Sequence, residues 1–106
     1  MKVAITSSGD QLSALVDRRF GRCNYFVFFD TETGETEILA NPHTDHLEGA
    51  GVAAVGLVAE RGVKKVVSGE FGAKVKSLFD QLQIQLISVP NQEQSVAEII
   101  GLLRKQ

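Results

Sequence analysis

Tyr25-Phe26-Val27-Phe28-Phe29 sets five aromatic or β-branched residues in an unbroken row. Side chains along a strand point alternately to its two faces, so a strand with no polar alternation needs apolar cover on both. The row therefore predicts a strand inside a sheet that has further layers packed against it. The rest of the chain must supply neighbouring strands and helices to cover them.

It does so in a definite order. Lys2 to Thr6 is a short β-rich run and reads as the first strand, closed by the turn cluster Ser7-Ser8-Gly9-Asp10. Gln11 to Cys23 has no clean period and reads as an irregular loop, with one helical turn near Leu12 to Val16. After the Tyr25–Phe29 strand, Asp30 to Glu35 forms a hairpin-type connection with Gly34 near its end, and Thr36 to Ala40 returns antiparallel. Gly49 to Arg61 holds Ala53, Ala54, Leu57, Val58 and Ala59 at helical spacing, with Gly62 as its C-terminal cap. Val63 to Ser68 is the fourth strand. Ala73 to Leu82 is a helix presenting Val75, Leu78, Phe79 and Leu82 on one face, and Ile84 to Val89 is the fifth strand. Pro90 and Asn91 break that strand, and a last helix opening at Ser95 or just before it carries Val96, Ile99, Ile100 and Leu103 on one face.

The order β-β-β-α-β-α-β-α predicts an α/β fold. An early antiparallel hairpin is joined to strand–helix–strand units, whose right-handed crossovers require parallel pairing. The expected product is a five-stranded mixed sheet flanked by helices, with one strand, the second, antiparallel to the others. This resembles the ribonuclease-H-like arrangement. At 106 residues the chain suits a single domain spanning 1–106.

Charge and composition narrow the function. The net charge of -2 argues against a nucleic-acid binder, which needs a basic face. No stretch approaches the roughly 20 apolar residues of a membrane span, and the N-terminus is too short and strand-like for a secretory signal. A cytoplasmic location is expected. Cys23 is the only cysteine, so no internal disulfide can form, and a lone thiol suits a reducing compartment.

Four groups of residues could carry chemistry. His43 and His46 lie three apart in a polar loop beside Asp45 and Glu48, where two imidazoles could share a metal or simply solvate a loop. Cys23 follows Arg18, Arg19 and Arg22. Those cations would favour a reactive, metal-binding thiolate, whereas a core position would make the thiol inert. The three arginines form a local basic cluster or solvated surface charge. Gly49-Ala50-Gly51 opens a helix and Gly69-Glu70-Phe71-Gly72 links a strand to a helix. Either turn could cradle an anion or be purely structural, and neither matches a nucleotide fingerprint. The acids Asp10, Asp17, Asp30 and Glu70 fall at loops and strand ends while the first strand carries none, which speaks against two-metal nuclease chemistry. Ser7, Ser8 and Ser68 sit in ordinary turns without a nucleophile elbow. No enzymatic constellation emerges.

Taken in order, these pieces resemble a known family. Phe20-Gly21-Arg22-Cys23 running into Tyr25 to Asp30, then Asn41-Pro42 before a histidine-bearing loop, then Gly49-Ala50-Gly51, Gly62-Val63 and Gly69-x-x-Gly72 resemble the dinitrogenase iron–molybdenum cofactor family. That family takes in NifX-type proteins and the C-terminal part of NifB-type proteins. The resemblance covers nearly all of the chain and implies a ribonuclease-H-like fold. It also implies the binding and escort of a preformed iron–molybdenum-type metal–sulfur cofactor, or a related cluster, between a donor and an acceptor metalloprotein. Some relatives hold a molybdenum–copper–sulfur cluster. The contacts implied are Arg22 and Cys23 in the first motif, the amides of Gly49, Ala50 and Gly51, and Cys23, His43 and His46 as metal ligands. Ala73-Lys74 after Gly72 departs from the proline and small residue common there, and nothing resembles the radical-SAM cysteine motif, so cluster synthesis is not expected. The rival expectation is a metal-free interaction or regulatory module of the same fold, and behind it a small-anion or nucleotide binder using the two glycine turns.

Overall fold

The computed structural model describes residues 1–44, 49–89 and 93–104. Asp45, His46 and Glu48 of the histidine loop, and the strand breakers Pro90 and Asn91, lie outside the described residues. The elements are β1 (Lys2–Ser7), β2 (Tyr25–Asp30), β3 (Thr36–Ala40), α1 (Ala50–Glu60), β4 (Val63–Ser68), α2 (Ala73–Gln81), β5 (Gln85–Ser88) and α3 (Val96–Arg104). They form one mixed sheet in the order β3-β2-β1-β4-β5. β2 pairs antiparallel with both β1 and β3, while β1–β4 and β4–β5 are parallel. The expected α/β architecture, with the second strand alone reversed, is present.

The two-sided burial implied by the Tyr25–Phe29 row is realised by two apolar clusters, one on each face. Phe26 and Phe28 of β2, with Ala4 and Val66, pack beneath Ala54, Val55 and Val58 of α1 and Val75 and Phe79 of α2. Val27 and Phe29, with Val3, Ile5 and Val67, pack against Val96, Ile99, Ile100 and Leu103 of α3. The odd–even split along β1 and β2 is the period of two expected of a pleated strand. Phe26, Val27 and Phe29 are fully buried, and each such side chain contributes roughly 1.5–3 kcal/mol of hydrophobic stabilisation.

Local signals set the helix ends. At the start of α3 the Ser95 hydroxyl accepts the Glu98 N–H at 3.1 Å, and the Glu98 carboxylate reaches back to the Ser95 N–H at 3.4 Å. This is the reciprocal capping box of a Ser-x-x-Glu start. Gly62 closes α1 in the left-handed region at φ +70, its N–H donating to the Ala59 carbonyl at 3.1 Å.

The Gln11–Cys23 segment is the irregular loop expected, and only the extent of its turn differs. Ala14 N–H donates to the Gln11 carbonyl at 3.0 Å in a single turn. Leu15 and Val16 then extend, bridging Ser95 and Ser7. The helical turn expected near Leu12 to Val16 does not continue, because the Val16 N–H is taken by the Gln94 carbonyl at 2.9 Å. A long-range backbone partner displaces the i→i−4 bond a helix would need.

Candidate functional site at the carboxyl edge of the sheet

Because β2 alone is reversed, the carboxyl ends of β1, β3, β4 and β5 share one edge with the amino end of β2. From β1 the chain first builds outward through β2 and β3, then returns to place β4 and β5 on the other side. The crevice outside β1 and β4 is thus a topological switch point, where α/β sheets characteristically bind ligands. A cleft of about 560 Å³ opens there. Ser8, Asp17, Arg18, Arg19 and Glu70 line it, with Leu15 and Val16 as its apolar wall.

The frame of the cleft is rigid. The buried hydroxyls of Thr6 and Ser68, at the ends of β1 and β4, approach the Asp17 carbonyl at 2.9 and 3.3 Å. Asp17 N–H donates to the Thr6 carbonyl and Gly69 N–H to the Asp17 carbonyl. Arg19 forms a parallel bridge with Glu70, and a Cβ on Gly69 would stand 2.6 Å from the Arg18 Cα. Only glycine permits so close an approach. Upon this frame Arg18 Nη2 meets Glu70 Oε1 at 3.0 Å. The Asp17 carboxylate accepts the Arg19 N–H at 3.0 Å, with Arg19 Nε at 3.8 Å.

Along the same edge, Asn41 ties a second group together. Its buried Nδ2 donates to the carbonyls of Gly21 and Cys23, both at 2.9 Å. Its Oδ1 accepts the His43 N–H at 2.9 Å, and its own N–H donates to the Asn24 carbonyl at 2.9 Å. Cys23 and His43 are thus brought to either side of one carboxamide, and Arg22 lies half-buried between Gly21 and Cys23. Gly21 packs on the backbone of Ala50 and Gly51, so the same loop seats against the first turn of α1. Among the described residues no side chain caps α1 or α2, and neither helix has an acid in its first turn. Their first N–H groups face this edge with the favourable end of the helix dipole.

Cys23 differs from what its arginine neighbours imply. The side chain is fully buried in the cluster that includes Phe20, Phe26 and Ala54. Burial pushes the thiol up to about 12, the Asp17 carboxylate pushes the same way, and hydrogen bonds from Gly21, Cys23 itself and Asn41 offset only part of this. Desolvation of the thiolate dominates, so the folded thiol stays protonated. The structure joins Arg22, Cys23, His43 and the Gly49–Gly51 turn at one edge. His46 lies outside the described residues. Among the described residues no three of His, Cys, Asp and Glu are grouped to hold a metal ion.

Sequence reasoning did not single out the pairing of Arg18 with Glu70 or the placing of Asp17 and Ser8 in one cleft. The signal for it was the glycine after Ser68, which marks a close backbone approach.

Comparison with known proteins bears on this edge. The sequence matches the family described as "Dinitrogenase iron-molybdenum cofactor" over residues 1–106. The chain belongs to the dinitrogenase iron–molybdenum cofactor family. An uncharacterized relative from Methanocaldococcus jannaschii is 33% identical over 89 residues, which is 81% of this chain and 72% of the relative. The apo form of the orange protein from Desulfovibrio gigas superposes with a TM-score of 0.87 at 28% identity, over 94% of this chain and 83% of that one. A candidate NifB protein from Thermotoga follows at 0.81 and 28% identity, over 98% and 87%. The family's name points to association with an iron–molybdenum cofactor.

Proposed function

We propose that this protein binds a preformed iron–molybdenum-type metal–sulfur cofactor, or a related cluster, at the carboxyl edge of its sheet and carries it between metalloproteins of the cytoplasm without chemical turnover. The observation that supports this most is the placing of Arg18 and Arg19 in the switch-point cleft and of Arg22 in the loop seated on α1, where α1 and α2 start without a side-chain cap among the described residues, in a family named for that cofactor. Metal–sulfur clusters of this kind are anionic, and fixed cations and N–H groups hold anions without covalent bonds.

In this reading Arg22 and the amides of Gly49, Ala50 and Gly51 hold the cargo, and His43 and His46 supply imidazole to its metal. Cys23 is the costlier ligand. Its thiol must come out of the core and lose a proton that burial retains to about 12, so ligation requires the 20–24 loop to shift. The cargo is therefore held first by charge and second by coordination.

The test is anaerobic loading with a pre-assembled iron–sulfur or molybdenum-containing cluster, followed by desalting, metal analysis and visible absorption. Wild type should retain the cluster stoichiometrically, and His43→Ala combined with His46→Ala should lower retention. Cys23→Ser reports whether the thiol is a ligand. Well-folded wild type that retains none would sink the reading.

The burial of Cys23 favours a second reading, a metal-free interaction or regulatory module of the same fold. It expects both histidines to be dispensable for partner binding.

A further inference from the structure

The switch-point cleft carries two arginines, but two carboxylates stand against them, so its formal charges cancel. The carboxylates differ in kind. Asp17 is nine-tenths buried, and its Oδ1 accepts the Arg19 N–H, so it is built into the frame. Glu70 has a side chain 66% exposed, opposite an Arg18 side chain 55% exposed. An ion pair so exposed contributes little to stability and is readily exchanged. The backbones beneath it are fixed independently, by the Arg19–Glu70 bridge and by the contact of Gly69 with Arg18. The Glu70 side chain can therefore swing away without disturbing the strands.

We propose that Glu70 is a specificity-determining residue, an internal competitor that occupies Arg18 until a multiply charged anion displaces it. A singly charged anion would only replace the single negative charge of Glu70 with another and gain nothing. A multiply charged one engages Arg18 and Arg19 together and gains the difference. The inference deepens the proposed cluster-carrying role and rests on it only for the identity of the cargo.

The experiment is an amide NMR titration of the full chain with inorganic pyrophosphate and, separately, with nitrate at matched ionic strength. In wild type, pyrophosphate should shift the amides of Ser8, Arg18, Arg19 and Glu70, and nitrate should leave them in place. Glu70→Gln keeps the side chain's shape and removes its charge. It should bind pyrophosphate about 2- to 5-fold tighter, and nitrate should begin to move the same amides. Arg18→Gln should abolish the pyrophosphate response in either background. Unchanged or weaker binding by Glu70→Gln, shifts outside the cleft, or a response that survives Arg18→Gln would each overturn the proposal. Cluster retention by the same variants separates the two readings. Retention by wild type with no gain in pyrophosphate binding from Glu70→Gln leaves the carrier role standing and removes this inference. The stated pyrophosphate behaviour without any cluster retention does the reverse.

Discussion

Gly21 lies against Gly51 so closely that a Cβ on the former would stand 2.7 Å from the Cα of the latter. Gly21 also has φ +97, where side chains other than hydrogen are strained. Gly21 lets the loop bearing Arg22 and Cys23 rest on the first turn of α1. A methyl at position 21 meets backbone, which cannot rotate out of the way. Gly21→Ala should cost about 2–4 kcal/mol, the strained dihedral and the clash together. Urea denaturation checks this, and cluster retention should fall with it, because the loop and the α1 turn part.

Cys23 gives the fold an alkaline limit. Folded, the thiol keeps its proton to about 12, against an ordinary value of 9.0. Its contribution is fully present below pH 9. As pH rises from 9 towards 12 the unfolded thiol ionises and the folded one does not, so stability is lost across that window. Thermal unfolding followed from pH 7 to 11 should show the melting temperature declining above 9, less steeply in Cys23→Ala. The native thiol should react with iodoacetamide at pH 8 orders of magnitude more slowly than in urea; equal rates would contradict its burial.

The sheet was legible because its determinants are local. The β-rich run Lys2–Thr6 and the unbroken, non-alternating Tyr25–Phe29 row mark two strands of the sheet, and Ser95 marks the start of α3. The site was only half legible. Asn41, Cys23 and His43 could be nominated from motif order, but the protonation of Cys23 depends on desolvation that only packing creates. Arg18 and Glu70 stand 52 positions apart and meet through a parallel bridge that no periodicity announces. The loop from Gln11 to Cys23 was misjudged only at Leu12–Val16 and for the same reason, since one bond, Ala14 N–H to Gln11, stays local while the others reach Ser8, Gln94 and the first residues of α3.

Asn41 should prove indispensable to the edge. Replacing it with alanine leaves the buried carbonyls of Gly21 and Cys23 without their donor, at about 1–3 kcal/mol. Asn41→Asp sets a carboxylate against those two oxygens at neutral pH, so it should destabilise at least as much at pH 7. It should recover in part near pH 4, when the protonated acid donates again. Chemical denaturation at both pH values separates the two variants. Alanine should show no such recovery.

Gln83 offers a way to strengthen the fold without touching the edge. It follows α2 at φ +59, the one described residue other than glycine in the left-handed region, and its N–H donates to the Asp80 carbonyl at 3.1 Å. The side chain is exposed, so its removal loses little packing. A non-glycine residue there carries about 1–2 kcal/mol of backbone strain, and glycine's extra freedom in the unfolded chain takes back about 0.5–1 kcal/mol. Gln83→Gly should therefore raise stability by up to about 1 kcal/mol. A higher urea midpoint at unchanged slope is the expected result, with cluster retention equal to wild type, because position 83 follows the far end of α2 from the proposed site.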